Sequence, residues 1–503
     1  MEILALLMGG IAACFEPLNL MLIFLGVTVG LFIGAMPGLG SVNGVAILLP
    51  MTFLVPPNSA MIFLASIYYG AMYGGAISSI TLGIPGASTA VATTFDGRPM
   101  ALKGKADQAL VTAAIASFVG GSVANILFTA FAPPLATVAL SFGNPEIFAL
   151  MLLAFATFVG LGGDDIPKTI LSMCLGLVLS AVGFDIISGE PRLVFFELTG
   201  FMHPINFLVL AIGVYGIGEM LWTINSTRDE VTMTDAEITV NRVLRAARNT
   251  LGAWRGMAIG SSLGFFVGIL PAAGATPGSL MAYGVARMTA KHPEEYGQGA
   301  LNGVAAPEAA NNSASTGAML PMLTLGIPGS PTTAVLLGGM VIWGLQPGPR
   351  LFTDQPDFVW PLVGSFFVSN FMALIVNLSF IPLFLWMLRM PFTILAPIIF
   401  VVSVVGGYAA TQNMFDVWLM LIFGVGAFLL RLLDYPMAPA VLAIVLGPIA
   451  EPKMRQSLLL SDGDPMIFLN RPIAGPITVI ALILIFLPLF KLVWDWWKRR
   501  QAA

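Results

Sequence analysis

The chain has 503 residues, of which 57% are hydrophobic and only 10% are charged, and its formal net charge is −4. Soluble domains carry about 25% charged residues, so this composition excludes an ordinary soluble globular protein. A mean hydropathy of +0.91 over this length indicates a polytopic membrane protein.

Apolar segments suited to the roughly 30 Å of hydrocarbon in a bilayer recur along the whole chain. In chain order they are 18–36, 41–55, 60–82, 109–139, 147–161, 170–184, 205–224, 254–270, 276–288, 303–325, 332–345, 360–387, 392–408, 415–433, 437–449 and 476–494. The segments 41–55, 276–288 and 332–345 are too short for a full span, so we predict half-helices or re-entrant arms there. The sequence therefore predicts an all-α polytopic membrane protein with roughly 10–14 transmembrane helices.

One long polar stretch, 225–249, divides the chain almost in half. We therefore expect a first membrane repeat over 1–225 and a second membrane repeat over 251–503. We expect a polar linker over 226–250, on the cytoplasmic side of the membrane, to join the two.

The two halves resemble each other in their glycine and proline positions. GLFIGAMPGLGSVNG at 30–44 matches GFFVGILPAAGATPG at 264–278 with a constant offset of 234 residues. TLGIPG occurs at 81–86 and again at 324–329, with an offset of 243 residues. The polar stretch KHPEEYGQG at 291–299 accounts for the increase in offset from 234 to 243 residues. Matches in this order predict an internal duplication, which is a common build of secondary transporters.

Lysine and arginine placement predicts that the repeats are inverted. There is no Lys or Arg before Arg98, whereas the second repeat begins after several arginines between 242 and 255. Loops rich in Lys and Arg usually lie on the cytoplasmic side of the membrane, so we predict that the two repeats start on opposite sides. The N-terminus is then periplasmic, and the basic tail at 498–500 is cytoplasmic. The basic residues between 453 and 471 fit this assignment less well.

The repeated TLGIPG is poor material for a continuous helix, because glycine costs about 1 kcal/mol and proline about 3 kcal/mol in a helix interior. Broken backbone in hydrocarbon is tolerated only where it is buried in protein or lines a wet cavity. Four breaks recur in symmetric pairs, PGLGS with PAAGA and GIPGAST with GIPGSPTT. Broken helices offer amides to an anion and carbonyl groups to a cation. The alternative is that the glycines only allow close helix packing and the prolines only kink the helices.

These breaks, with a nearby pair of carboxamides, supply the predicted substrate-binding residues. They are Pro37, Gly38, Gly40, Ser41, Asn43, Pro85, Gly86, Ser88, Thr89, Pro271, Gly274, Thr276, Asn311, Asn312, Pro328, Gly329, Ser330, Thr332 and Thr333.

A second polar cluster, GVAAPEAANNSASTG, places Glu308 three and four residues before Asn311 and Asn312, on one helical face. Carboxylates at membrane depth are costly and usually mark a pathway, so Glu308, Asn312 and Ser313 form the predicted site of a coupling ion or proton. An interhelical hydrogen-bond cluster is the alternative. In the first half, YYGAMYGG at 68–75 offers tyrosine hydroxyls to the same cavity, although membrane tyrosines are more often interfacial anchors.

These motifs resemble the tripartite tricarboxylate transporter family, in particular its large membrane subunit, TctA. The resemblance is carried by PGLG near the first span, YYGAMYGG with TLGIPG, DGRPM at 96–100, and above all GVAAPEAANN with TLGIPGSPTTAVLLGG. It extends over nearly the whole chain and is densest in 30–104 and 264–352. Arg98 departs from the family pattern, in which an aromatic residue is expected at that position.

The resemblance implies a secondary transporter in the bacterial inner membrane that imports carboxylates, such as citrate or a related di- or aromatic carboxylate. It also implies a small membrane subunit similar to TctB and a periplasmic solute-binding protein similar to TctC. A sodium or proton gradient would drive import, so Na⁺ is the one candidate cofactor. The sequence has no P-loop of the GxxxxGK[ST] form, in agreement with this mode of transport. We expect no nucleic-acid partner, and a homo-oligomer stays an open alternative.

The residues constrain how such a substrate would be held. The apolar segments contain almost no Lys or Arg, so we expect backbone amides, hydroxyls and carboxamides to hold a carboxylate, rather than an arginine clamp. A co-bound cation would offset the substrate charge in a low dielectric, and we expect Na⁺ near Gly38, Gly274 and Glu308. Glu219 is expected to reach the headgroups from the end of its segment. Paired hairpins favour an elevator-like movement, with a rocking bundle as the alternative.

Two other functions stay open at this point. One is a carboxylate-permeable channel, because inverted repeats with broken helices also occur in channels. The other is an intramembrane enzyme with Glu308 as acid or base. The chain has only two histidines, His203 and His292, and shows neither a Cys/His metal set nor a Ser/His pair, so we expect no enzyme.

Overall fold

Apolar helices make up nearly all of the computed structural model, which describes residues 2–36, 39–161, 165–185, 189–194, 198–226, 240–271, 274–387 and 392–486. Among these residues the strands form one short antiparallel ribbon, Gly183–Phe184 paired with Pro191–Arg192. Six helices are long and apolar enough to cross a membrane: Pro17–Ala35, Pro57–Thr81, Ala106–Ala139, Pro356–Leu383, Met414–Leu432 and Met437–Leu460. The expectation of an all-α polytopic membrane protein is confirmed.

The α-helices are numbered here in chain order. They are α1 (Glu2–Cys14), α2 (Pro17–Ala35), α3 (Gly40–Leu48), α4 (Pro57–Thr81), α5 (Val91–Leu102), α6 (Ala106–Ala139), α7 (Asn144–Leu161), α8 (Ile166–Ser180), α9 (Phe207–Ala211), α10 (Glu219–Ser226), α11 (Val240–Thr250), α12 (Trp254–Ile269), α13 (Ala275–Met288), α14 (Leu301–Leu325), α15 (Pro331–Ile342), α16 (Leu351–Asp354), α17 (Pro356–Met387), α18 (Phe392–Thr411), α19 (Met414–Leu432), α20 (Met437–Leu460), α21 (Ile467–Asn470) and α22 (Ala474–Phe486).

The structure refines several of the predicted segments. The predicted span 205–224 is interrupted by a π-helical turn, Ile212–Gly218, between α9 and α10. The predicted arms are short helices: α3 has 9 residues, α13 has 14 and α15 has 12. At about 1.5 Å per residue, none of the three is long enough to cross the hydrocarbon by itself. Of the linker, only α11 and Ser226 are described, and α11 packs against α6. The basic tail at 498–500 lies outside the described residues.

Two helical hairpins occupy matching places in the two halves. Helix α3 folds back on α2, so that a Cβ on Gly44 would lie 3.0 Å from the side chain of Ile33. Helix α13 folds back on α12 in the same way, and a Cβ on Gly278 would lie 3.7 Å from the Cβ of Val267. The described residues of the breaks PGLGS and PAAGA, which are 39–41, 271, 274 and 275, therefore lie where the hairpins turn.

Glycines allow each hairpin to pack closely against the long helix that follows it. A Cβ on Gly34 in α2 would lie 2.1 Å from the carbonyl oxygen of Ala71 in α4. A Cβ on Gly268 in α12 would lie 2.3 Å from the carbonyl oxygen of Ala314 in α14. The two pairs are related by the same offsets, 234 and 243 residues, that relate the repeated motifs. The internal duplication stays a prediction. It leads us to expect equivalent helix contacts in the two halves, as at Gly34 and Gly268.

Helix α14 lies at the centre of the structure and is buried throughout 303–324. It packs against α6, α12 and α13, and its many alanines and serines permit short interhelical distances. On the α6 side, a Cβ on Gly120 would lie 2.1 Å from the carbonyl oxygen of Ala309. The polar side chains of this helix are thus buried in protein and do not face lipid.

The DGRPM motif joins the first half to the start of α14. Asp96 is fully buried, and its Oδ1 accepts hydrogen bonds from the amides of Gly297, Gly299 and Ala300 at 2.9, 2.7 and 2.7 Å. The hydroxyl of Tyr283 donates to its Oδ2 at 3.0 Å. One carboxylate therefore holds the segment that leads from α13 into α14.

Candidate substrate and coupling site

The four helix breaks line a single cavity with a volume of about 880 Å³. The predicted binding residues that line it are Gly40, Ser41, Asn43, Pro85, Gly86, Ser88, Thr89, Gly274, Thr276, Ser330 and Thr332. Positions more than 200 residues apart in the chain thus meet at one place.

Hydrogen bonds connect the breaks of one half to those of the other in a crosswise pattern. The hydroxyls of Ser41 and Thr332 lie 2.8 Å apart, which joins the first hairpin tip to the second TLGIPG break. The hydroxyls of Ser88 and Thr276 lie 3.1 Å apart, which joins the first TLGIPG break to the second hairpin tip. Each hydroxyl can donate or accept, so these pairs can reorganise around a polar ligand.

The backbone at the hairpin tips turns sharply into the two short helices. Gly40 has φ +61° and Gly274 has φ +67°, a left-handed conformation that other residues rarely adopt. At the described starts of α3 and α13, neither N-cap residue forms a side-chain cap. No N-cap side chain of the described residues therefore blocks the first amides of these helices, and the helix dipoles favour negative charge there.

Several predicted binding residues lie beside the cavity rather than on its wall. Thr333 is fully buried and forms a capping box with Ser330 at the start of α15. The carbonyl of Gly329 accepts a hydrogen bond from the amide of Gly274 at 3.0 Å. Pro271 and Pro328 are buried near these contacts and are not among the residues that line the cavity.

Other predicted residues lie outside the described residues or away from the cavity. Pro37 and Gly38 lie outside the described residues. Of the three tyrosines in YYGAMYGG, Tyr68 lines the cavity, whereas Tyr69 bonds Asn125 and Tyr73 bonds Asn370, each at 2.6 Å.

Glu308 forms a separate buried centre next to the cavity. It is fully buried in α14, and Thr93 and Ser117 donate hydrogen bonds to its two carboxylate oxygens, the latter at 3.0 Å. Sequence reasoning missed Ser117 on α6, because nothing near it in the chain marks it as a polar partner. Glu308 does not line the cavity that Gly274 lines, so a single Na⁺ site touching both stays a prediction.

The two carboxamide side chains of α14, Asn311 and Asn312, are also buried. Asn311 donates to the carbonyl of Met72 at 3.0 Å, and Asn312 donates to the carbonyl of Glu308 at 3.3 Å. Ser313 donates to the carbonyl of Ser261 at 2.6 Å. Within the described part of the chain, the Oδ1 atoms of Asn311 and Asn312 are buried and have no hydrogen-bond partner. Buried acceptors without partners are rare in proteins, and oxygen atoms of this kind suit a hard cation.

Sequence reasoning missed two charged residues of the cavity, Glu219 and Arg431. Glu219 is only 9% exposed and pairs with the Arg431 guanidinium, so the expectation that it reaches the headgroups is wrong. Arg431 is the one basic residue in the apolar segment 415–433, and this isolated charge was the signal available in the sequence.

Comparisons with known proteins agree with these observations. The family model described as "Tripartite tricarboxylate transporter TctA family" matches residues 20–442. An uncharacterized 52.8 kDa protein in the TAR-I ttuC' 3' region of Agrobacterium vitis is 38% identical over 494 residues, 97% of each chain. An uncharacterized protein in the TAR-II ttuC' 3' region of the same organism is 36% identical over 226 residues, which cover 45% of this chain and 93% of the relative. No solved structure matches. With its four helix breaks around one cavity and a family match over most of its length, this chain belongs to the tripartite tricarboxylate transporter TctA family.

Proposed function

We propose that this chain is the large membrane subunit of a binding-protein-dependent secondary transporter that imports carboxylates. The substrate is a tricarboxylate such as citrate, or a related di- or aromatic carboxylate. The chain acts in the bacterial inner membrane with a small TctB-like membrane subunit and a periplasmic TctC-like solute-binding protein. The observation that carries the proposal is the meeting of four helix breaks in one cavity, which serine and threonine hydroxyls help to line.

The chemistry of the cavity supports an anionic substrate. Ser41, Ser88, Thr276 and Thr332 present hydroxyl donors, and the uncapped starts of α3 and α13 present amides. Carboxylates accept several hydrogen bonds at once, and charge-assisted bonds of this kind are about twice as strong as neutral ones. A carboxylate at this place would therefore replace the crosswise hydroxyl pairs with stronger bonds.

The location of the breaks supports alternating access. Each hairpin tip contacts the opposite half through one pair of side-chain hydroxyls. The second tip also forms a backbone hydrogen bond within its own half, from the amide of Gly274 to the carbonyl of Gly329. Movement would exchange these hydrogen bonds, whereas the close glycine packing of α2 on α4 and of α12 on α14 favours movement of each helix pair as one unit. We favour an elevator-type movement of these pairs, with rocking as the alternative.

The buried polar centre of α14 supports coupling to an ion gradient. Glu308 either takes up a proton or, together with the free carboxamide oxygens of Asn311 and Asn312, binds Na⁺. A positive charge gained here offsets part of the substrate charge within a low dielectric. Glu308 has no basic partner among the described residues, so its charge state is open to control by such a cation.

Uptake into proteoliposomes tests this function. Vesicles contain the chain and its small membrane subunit, the binding protein is added outside, and labelled carboxylates are offered under a sodium or a proton gradient. We expect uptake that needs the binding protein and one of the two gradients, together with exchange of internal for external substrate. Equilibration that ignores both gradients and shows no exchange would instead identify a channel.

A further inference from the structure

Four polar residues line the cavity from helices other than those that carry the breaks, namely Thr157 on α7, Tyr215, Glu219 and Arg431, and the Thr157 hydroxyl already bonds the carbonyl of Leu153. Tyr215 lies in the π-helical turn, Glu219 begins α10, and Arg431 lies in the last turn of α19. Among the described residues that line the cavity, Arg431 is the only basic one and Glu219 the only acidic one.

Two neighbours hold the guanidinium of Arg431 in place. Its Nη1 donates to Oε2 of Glu219, and the guanidinium lies 4.6 Å from the ring centroid of Trp222. A guanidinium carries five N–H donors in a planar fork. The described residues provide it with this one acceptor, and 37% of its side chain is exposed, so several donors stay available to a ligand.

Tyr215, which lines the same cavity, carries a second donor. The residue is 8% exposed, and its hydroxyl is buried with no hydrogen-bond partner among the described residues. A buried hydroxyl without a partner destabilises the fold, and a ligand that accepts its hydrogen bond would relieve this cost. Within the described chain, two donor groups of one cavity, one of them cationic, thus have N–H or O–H bonds without an acceptor.

An ion pair taken out of water is stabilising only when further hydrogen bonds satisfy its remaining donors. The pair formed by Glu219 and Arg431 has a net charge of zero, both members line the cavity, and the Arg431 side chain is the more exposed of the two. A bound carboxylate would add the missing acceptor and form a bidentate contact with the guanidinium.

We propose that Arg431, positioned by Glu219 and joined by the Tyr215 hydroxyl, binds a carboxylate group of the substrate on the wall of this cavity. The inference rests on the proposed carboxylate transport and adds a contact outside the helix breaks. It makes Arg431 a specificity-determining residue that selects anions. Glu219 is a positioning residue, because it holds the guanidinium at the cavity wall, and its carboxylate also competes with the substrate for the guanidinium donors.

The test measures the local charge and the binding of citrate without relying on transport. In the full chain with Cys174→Ser, the substitution Ala438→Cys places a reporter thiol on the cavity lining. Its rates of reaction with a negatively and a positively charged thiol reagent are compared, with and without citrate. We expect citrate to protect the thiol, and we expect Arg431→Gln to raise the citrate concentration needed for half-protection by about tenfold or more.

The same variant should also slow the anionic reagent relative to the cationic one, because the positive charge is lost. Arg431→Lys should keep most of the preference for the anionic reagent. An unchanged reagent ratio together with unchanged protection in Arg431→Gln would overturn the inference. Uptake is measured in parallel: if protection depends on Arg431 but no carboxylate is transported, the proposed function fails while the binding site stands.

Glu219→Gln separates ligand binding from a purely structural ion pair. Glutamine keeps an amide oxygen that can hold the Arg431 guanidinium but removes the competing negative charge, so we expect citrate to protect the thiol at a lower concentration. If the ion pair is purely structural, each single variant should instead weaken protection by citrate. The double variant Glu219→Gln with Arg431→Gln should then restore protection. Tyr215→Phe, which retains the ring, should weaken protection even where Arg431→Gln fails to fold.

Discussion

Hydroxyl groups from both halves of the chain meet in pairs at the helix breaks. The sequence identified these serines and threonines individually, because each one follows a break rich in glycine and proline. It did not show that Ser41 would face Thr332, or that Ser88 would face Thr276. Such pairing depends on how the hairpin of one half approaches the break of the other.

Replacing Thr276 with Val tests the hydroxyls as substrate ligands. The variant keeps the shape of the side chain but removes one hydrogen bond, so we expect KM for the carboxylate to rise about fivefold with little change in stability. Steady-state uptake in proteoliposomes measures this. Thr289→Val is the matched control, since the Thr289 hydroxyl bonds the carbonyl of Val285 on an exposed surface. Equal KM values in the two variants would show that the Thr276 hydroxyl does not bind the substrate.

Glu308→Gln tests ion coupling at the buried centre of α14. Glutamine keeps the volume and can still accept a hydrogen bond from Thr93 or Ser117, so we expect the fold to be retained. Gradient-driven uptake should fall about tenfold or more, while substrate exchange without a gradient persists. Ser117→Ala, which leaves the carboxylate in place, is the control. Unchanged coupling in Glu308→Gln would support the interhelical hydrogen-bond cluster instead.

At the scale of helices, glycine determines how closely the hairpins approach the long helices behind them. Gly268 lies against the backbone of Ala314, whereas a Cβ added to Gly284 in α13 would have no described neighbour within 4 Å. The two glycines look alike in the sequence, because both lie in apolar helical segments. Only the packing of α12 on α14 distinguishes them.

This difference predicts opposite effects of the same substitution. Gly268→Ala forces α12 and α14 apart, and we expect a loss of about 1–3 kcal/mol, seen as a lower Tm in detergent. Gly284→Ala adds a methyl group in open space within a helix, and we expect a gain of about 0.4–1 kcal/mol. If both variants have the same Tm, close packing at Gly268 does not limit stability.

At the scale of the whole molecule, Asp96 links the two halves of the chain. It lies in the first half and accepts hydrogen bonds from three amides that precede α14 in the second half. The family resemblance makes DGRPM recognisable in the sequence, but it does not identify the partners of Asp96. They lie about 200 residues away, at 297–300.

Asp96→Ala removes the acceptor of three amides, and we expect a loss of about 3 kcal/mol or more. Thermal unfolding in detergent measures the change. Asp107→Ala is the control, because the ion pair that Asp107 forms with Arg242 is long, at 3.9 Å, and contributes about 0–1 kcal/mol. A similar fall in Tm for both variants would show that Asp96 is not a special link between the halves.

The sequence by itself determined that this is an all-α membrane protein of the TctA family, and it identified the helix breaks. Hydrophobic composition, breaks rich in glycine and proline, and repeated motifs are local properties, so they can be seen without a fold. The tertiary structure decided which of these residues meet. It brought four breaks to one cavity, separated Glu308 from that cavity, and placed Arg431 on its wall. These contacts join positions hundreds of residues apart, and they depend on helix packing that no local pattern records.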